Sequence, residues 1–357
     1  MQTGIKESDR KVIWSGTGGC CPEGPHIYKR NGSYYLFISE GGTEYGHMVT
    51  VARSKDIAGP YEPYHKNPIL SNRSHNFPIN ATGHSDIVED QNGNWWAVCL
   101  GIRTISYPFR HNLGRETMLI PMTWNSEGWP VMGNNGIVES EIETENLPLN
   151  RQMEVSYPEE NNMILDRFDK KELEFYWNHI YNPVPSLYQL EGEGVVLYGN
   201  ETALSEPKAM AWIGRRQAHH DCKVRTELIF ERVKEQEEAG ITIYMNNRHH
   251  YEAALTILDN QKVLIFRRQI GSLVKIEKII PFESERIMLE IEATKEYYMF
   301  RYSVEGNEYI DLGKGETGYL TTEVGGAFTG NYFALYATGN GNKCCNGAKY
   351  KWFEYAV

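Results

Sequence analysis

At 357 residues, with 41% hydrophobic and 23% charged content, the chain has the composition of a soluble globular protein and the length for two domains, each burying its own core. A formal charge of −11 and a pI near 5.6 argue against nucleic acid or an anionic membrane as partner, since a polyanion would be repelled, and favour a neutral ligand. The six cysteines (Cys20, Cys21, Cys99, Cys222, Cys344, Cys345) form no C-x-x-C, so neither a zinc site nor a disulfide framework is indicated. No apolar run reaches the roughly 18 residues of a spanning helix. Met1 to Lys6 lacks the apolar core of a signal peptide, which points to the cytoplasm if Met1 is the true start.

The first informative stretch is Cys21-Pro22-Glu23-Gly24-Pro25-His26-Ile27-Tyr28. Each proline fixes its own φ and restricts the residue before it, and Gly24 allows a close approach, so one carboxylate is presented on a stiff segment. Such a carboxylate either stabilises a turn or does chemistry.

Shifting the chain by 61 positions places Glu23 on His84, Ile27 on Val88, Asn31-Gly32 on Asn92-Gly93 and Tyr34-Tyr35 on Trp95-Trp96. Both copies read as apolar strand, Asn-Gly hairpin turn, aromatic strand. A further strand follows each, His47 to Ala52 and Glu116 to Trp124. Units of this kind are blades of a β-propeller, which needs about four to eight of them to close a ring. Two do not close, so the expectation is a partial propeller over residues 1–140.

Residues 141–162 read as a linker or surface strap, rich in acidic residues and breakers such as Pro148 and Pro158. From residue 163 to 357 short alternating runs recur, among them Val195 to Tyr198, Lys223 to Phe230, Gly240 to Tyr244, Val263 to Arg267, Ile287 to Ala293, Tyr297 to Tyr302 and Phe333 to Ala337. Turn signals such as Glu305-Gly306-Asn307 separate them. Many short strands with little helical periodicity predict a β-sandwich, and only Lys170 to Tyr176 suggests a short helix or turn. The fold class is all-β.

In this order, Trp14-Ser15-Gly16-Thr17-Gly18, Pro22-Glu23-Gly24-Pro25-His26, Glu40-Gly41-Gly42-Thr43, Ala52-Arg53-Ser54, Gly83-His84-Ser85, Leu113-Gly114-Arg115-Glu116-Thr117 and Gly325-Gly326-Ala327-Phe328-Thr329-Gly330 resemble family 43 of the glycoside hydrolases. The resemblance is to its β-xylosidase and α-L-arabinofuranosidase branch, with a C-terminal sandwich of concanavalin-like type. It implies a five-bladed propeller, of which about two blades are present here, and inverting, exo-acting hydrolysis of xylo- or arabino-oligosaccharides without an organic cofactor. By resemblance Glu23 is the general acid, while His84, Arg115, Thr43 and Phe328 contact the sugar. The family's catalytic base and a second tuning carboxylate lie upstream of where this chain begins. A complementary N-terminal fragment or a homo-oligomer is therefore an expected partner, and a non-catalytic carbohydrate-binding or assembly protein is the alternative reading.

Each candidate has a plainer role beside it. His84 can be a satisfied core histidine, Arg115 a structural partner of Glu116 or of a neighbouring blade, and Phe328 a plug at a domain boundary. Asp86, Glu40 and Glu44 are surrogate bases to consider. The pairs His219-His220 and His249-His250 sit on strands whose adjacent side chains diverge, so they read as surface residues rather than metal ligands. Asp166 with Asp169 can offer oxygen ligands to a structural Ca²⁺, or simply be turn carboxylates.

Overall fold

The computed structural model describes residues 11–76, 78–143, 147, 163–304, 306, 308–326 and 328–357. Most of the strap expected at 141–162, and Glu305 and Asn307 of one turn signal, lie outside them. The chain is all-β and divides into two compact units. The first comprises residues 1–104 and 115–150, the second residues 105–114 and 151–357.

The first unit holds two four-stranded antiparallel sheets. One runs β1 (Glu23–Arg30), β2 (Ser33–Glu40), β3 (Met48–Ser54) and β4 (Glu62–Pro63). The other runs β5 (Ile79–Glu89), β6 (Trp95–Arg103), β7 (Glu116–Trp124) and β8 (Pro130–Met132), also in sequence order. The expected repeat is thus present as two consecutive meanders, and the unit is the propeller-like part of the protein.

Their hairpins differ in kind. Between β1 and β2, Arg30 pairs with Ser33, and Asn31 and Gly32 both take positive φ (48° and 71°), as a two-residue type I′ turn requires. Between β5 and β6 the expected two-residue Asn-Gly turn is not found: Glu89 pairs with Trp95 across a five-residue loop. The reason is Asp90. Its Oδ1 accepts the N–H groups of Asn92 (2.8 Å) and Asn94 (2.9 Å), and its Oδ2 accepts Trp96 Nε1–H (3.0 Å), which winds a wider turn.

Alternation sends Tyr35, Phe37, Val49 and Val51 of the first sheet and Ile87, Ala97, Cys99, Ile120 and Met122 of the second into one shared core. The opposite face of the first sheet packs Leu36, Ile38, Ala52 and Tyr61 beneath Ile13 and Trp14. On the opposite face of the second sheet, Val88, Val98 and Leu119 are 58%, 39% and 38% exposed, with Val98 and Leu119 directly across from each other.

The second unit is a two-sheet sandwich. One sheet has seven strands, in the order Trp177–Asn178, Ala211–Arg216, Tyr332–Thr338, Glu238–Asn246, His249–Leu258, Gln261–Ile270, Leu273–Pro281. The other has eight, centred on Cys222–Ile229 between Ala348–Ala356 and Arg286–Ala293. Ile241, Ile243, Leu255, Leu264, Phe266, Phe333 and Leu335 from the first meet Val224, Leu289, Ile291, Phe300, Tyr350 and Phe353 from the second. Lys170 to Tyr176 forms bends and a turn, not a helix.

The histidine pair at 249–250 corrects an expectation. Both side chains are buried, because the seven-stranded sheet is covered on its second face as well, where Leu204, Met210, Trp212, Tyr244, Ile265 and Tyr336 pack together. Under that cover Arg267 pairs with both Glu238 and Glu252, and His250 Nε2 stands 3.7 Å from Glu252. Burial pushes His250 down to about 3. His219, by contrast, is exposed as expected.

Candidate functional site

Glu23 opens β1 in a bulge. The register jumps from Glu23 opposite Ser39 to His26 opposite Phe37, and Gly24 takes φ +56°, a conformation that favours glycine. The equivalent place in the second sheet is also a bulge, where pairing jumps from Gly83–Leu100 to Asp86–Val98 and His84 takes φ +53°. Ser39 connects the two, since it faces Glu23 across the strands while its Oγ accepts the His84 N–H at 2.6 Å. A side chain at Gly24 would bring its Cβ to 3.0 Å from His84 Nε2, so glycine there lets the imidazole close in.

These bulges aim Glu23 and His84 at each other. Glu23 Oε1 lies 3.6 Å from His84 Nδ1, and both side chains are a little under half exposed, so the pair stands on the solvent side of the sheets. A third group completes the cluster. His47, just before β3, is wholly buried, and its Nε2 lies 3.9 Å from the same Glu23 oxygen. Its Nδ1 is 3.1 Å from the Ala81 carbonyl, and Nε2 has no hydrogen-bond partner among the described residues. Burial pushes the imidazole below its ordinary value, while the Ala81 carbonyl and Glu23 act the other way.

The neighbouring carboxylates are engaged elsewhere. Glu40, at the end of β2, is fully buried and accepts Thr50 Oγ1–H (2.6 Å), Thr17 N–H (2.9 Å) and Gly19 N–H (2.8 Å). Burial alone would raise it, but these donors outweigh that and hold the carboxyl below its usual range. It organises the 17–19 segment and is no surrogate base. Asp86 accepts the Tyr28 hydroxyl and the Ile87 N–H. Glu44 is exposed and accepts the Gly46 N–H at 2.9 Å.

Thr43 is half-buried in the loop between β2 and β3, and Arg115 is exposed one residue before β7. Glu116, beside Arg115 in sequence, makes a two-pronged pair with Arg103 (2.8 and 2.9 Å).

In the second unit, Phe328 is 46% exposed in the loop that follows a single helical turn, Thr322–Gly325. That loop is clamped to residues 105–114. Glu323 accepts both His111 Nδ1–H (2.7 Å) and His111 N–H (3.1 Å), and the Asn331 N–H donates to the Asn112 carbonyl (2.9 Å). Gly114 and Gly330 touch backbone to backbone; a Cβ on Gly114 would fall 2.4 Å from the Gly330 nitrogen.

Asp166 does not fit the expected Ca²⁺ role. Its carboxylate accepts Phe168 N–H (2.8 Å), Tyr176 O–H (3.0 Å) and Trp177 Nε1–H (2.8 Å), a set of donors that replaces a cation. Among the described residues no group of three or more His, Cys, Asp or Glu side chains is arranged to hold a metal ion.

Residues 1–130 match the family described as glycosyl hydrolases family 43, and residues 165–356 match the β-xylosidase C-terminal concanavalin A-like domain. The chain belongs to glycoside hydrolase family 43. Among curated relatives it is 38% identical over 354 residues to a non-reducing end α-L-arabinofuranosidase of Bacteroides ovatus, covering 98% of this chain and 65% of that protein. It is 31% identical over 359 residues to a xylosidase/arabinosidase of Butyrivibrio fibrisolvens, covering 96% and 65%. Among solved structures, a xylan β-1,4-xylosidase from Bacillus halodurans superposes with a TM-score of 0.88 at 28% identity, covering 97% of this chain and 67% of that one. The chain thus spans about two thirds of the length of the family 43 proteins it matches.

Within this family 43 chain the geometry unites Glu23 and His84, the two positions the repeat made equivalent. It adds His47, which the sequence reading passed over. In sequence it stands between Gly46 and an apolar strand, with nothing there to mark it, and Gly83 is far away along the chain. A Cβ on Gly83 would lie 2.5 Å from the His47 ring, but only the folded sheets bring these two together.

Proposed function

We propose that this protein is part of an exo-acting, inverting glycosidase that releases terminal xylose or arabinose, with Glu23 as its general acid. The observation that carries the reading is the presentation of Glu23: a partly exposed carboxyl fixed by a bulge, with two imidazoles within 4 Å of one oxygen. A general acid must be positioned on the leaving oxygen and held by its neighbours in the protonated form it donates. The arabinofuranosidase and xylosidase/arabinosidase activities of the Bacteroides and Butyrivibrio relatives support the substrate class, and the non-reducing-end action of the first supports exo action.

In the proposed step Glu23 gives its proton to the glycosidic oxygen as the C–O bond breaks. Water attacks the opposite face of the sugar and loses its own proton to a second carboxylate, about 6.5 to 9.5 Å from the first. Glu40, with three short accepted hydrogen bonds, and Asp86, bound to Tyr28, are poor candidates for that second group. The proposal therefore assigns the base to propeller blades other than these two sheets. The exposed apolar face of Val88, Val98 and Leu119 supports it, as a surface suited to a further blade. Arg115 and Thr43 enter as sugar contacts through the family motifs they stand in.

The test is hydrolysis of p-nitrophenyl β-D-xylopyranoside and α-L-arabinofuranoside by the chain alone and with a complementary N-terminal propeller fragment. Turnover that needs the fragment and falls at least ~100-fold in Glu23→Gln is the expected result. Full turnover by the chain alone overturns the assignment of the base, and undiminished turnover in Glu23→Gln overturns that of the acid.

A further inference from the structure

We infer that His47 is a positioning residue for Glu23: a buried acceptor whose Nε2 takes the hydrogen bond of the protonated Glu23 carboxyl. The inference rests on the reading of Glu23 as general acid.

The tautomer of His47 follows from its backbone partner. A carbonyl oxygen only accepts, so the 3.1 Å contact between His47 Nδ1 and the Ala81 carbonyl requires the proton on Nδ1. A neutral imidazole with its proton on Nδ1 leaves a bare lone pair on Nε2. That atom is buried and has no other partner among the described residues, and a buried acceptor left unpaired is costly. The group in front of it is Glu23 Oε1, at 3.9 Å, which a small side-chain rotation brings to hydrogen-bond distance. A carboxylate anion cannot satisfy a lone pair, whereas a carboxylic acid can. Occupation of Nε2 therefore favours the protonated carboxyl, the form a general acid must have before it acts.

Two further observations make the arrangement one-way. The imidazole cannot swing aside, because Gly83 packs on its face so closely that even a methyl group there would clash at 2.5 Å. Nor does it charge easily, since burial disfavours the imidazolium. The titratable groups facing it are Glu23, His84 and Glu44, and Glu23 in turn also faces Cys21. His84 is nearly half exposed, so solvent screens its influence, while His47 acts from the dry side. The two imidazoles thus differ in role although both flank one oxygen.

The experiment has an arm that needs no activity. In ¹⁵N-labelled protein, His47 is expected to show a protonated Nδ1 and an unprotonated Nε2; the opposite tautomer overturns the inference whether or not the chain hydrolyses anything. In the second arm, the ¹³C carboxyl titration of Glu23, identified by its loss in Glu23→Gln, is followed in wild type, His47→Leu and His47→Gln. One hydrogen bond of ordinary strength corresponds to a shift of about one pH unit. The midpoint is expected to fall by about that much in His47→Leu and to return in His47→Gln, whose amide oxygen restores an acceptor. The alkaline limb of the pH profile of kcat/KM should move with it. An unmoved midpoint in a His47→Leu protein that keeps its Tm overturns the inference. Should that variant fail to fold, a His47→Asn protein, which lacks an acceptor at the Nε2 position, takes its place with the same two outcomes.

Discussion

Gly83 lies so close to His47 that a single added methyl group would sit 2.5–2.6 Å from three atoms of the imidazole ring. The contact joins β5 to the start of β3 directly behind Glu23, and it is a steric requirement, since Gly83 is not among the residues with positive φ. Gly83→Ala is expected to destabilise the first unit by about 1–3 kcal/mol through overpacking. In a His47→Ala background the same change should cost much less, because the ring it strikes is gone. Urea unfolding of the four proteins of this cycle measures the coupling, and an equal cost in both backgrounds would refute it.

Glu40 predicts a pH dependence. Its carboxyl is held below the ordinary 4.5 by donors from Thr50, Thr17 and Gly19 that prevail over burial. The unfolded chain therefore binds the proton more readily than the native one. The stability Glu40 contributes is fully present above about pH 4.5 and is lost as pH falls through the lower native value. Glu40→Gln should be less stable than wild type near pH 6, and the gap should narrow on acidification, as followed by urea unfolding at a series of pH values.

Glu252 predicts the opposite slope. Burial, with Glu238 nearby, raises its carboxyl to about 7 against the attraction of Arg267. Here the native state binds the proton more readily, so this term is favourable below about pH 4.5 and is lost as pH rises toward 7. Glu252→Gln should gain on wild type across that interval, while Arg267→Met, which strands two buried carboxylates, should cost ~3–5 kcal/mol at pH 8. Thermal unfolding of the variants between pH 5 and 8 reads both effects.

The His111–Glu323 clamp predicts a local effect. Glu323 accepts two hydrogen bonds from His111, one from the ring and one from the backbone. Glu323→Ala should destabilise the second unit by about 1–3 kcal/mol and render the 321–330 loop more open to limited proteolysis. Removing His111 as well should add little, since the partners act as one unit. Additive losses would show that the clamp is not a coupled pair.

Much of this was legible in one dimension because strand structure writes a period of two into the chain. The two copies separated by 61 residues announced two meanders, and the run from Glu116 to Trp124 matches β7 residue for residue. Glu23 and His84 became candidates through their equivalence in that repeat and the motifs around them, and the fold set them 3.6 Å apart. Family 43 membership followed from the order of those motifs.

What the sequence could not state were the facts that depend on which distant segments share a wall. His249 and His250 read as surface residues, yet both faces of their sheet are covered. Asp166 read as either a cation ligand or a turn carboxylate, and three hydrogen-bond donors converge on it. Residues 105–114 cluster with the sandwich, where Glu323, more than 200 positions away, holds His111, and no local pattern in the sequence marks that pairing. His47 carried no signal that set it apart from other histidines. Its importance comes from burial, from a carbonyl that fixes its tautomer and from a glycine that makes room for it. These are properties of packing, and packing alone decided which imidazole lies behind the carboxyl.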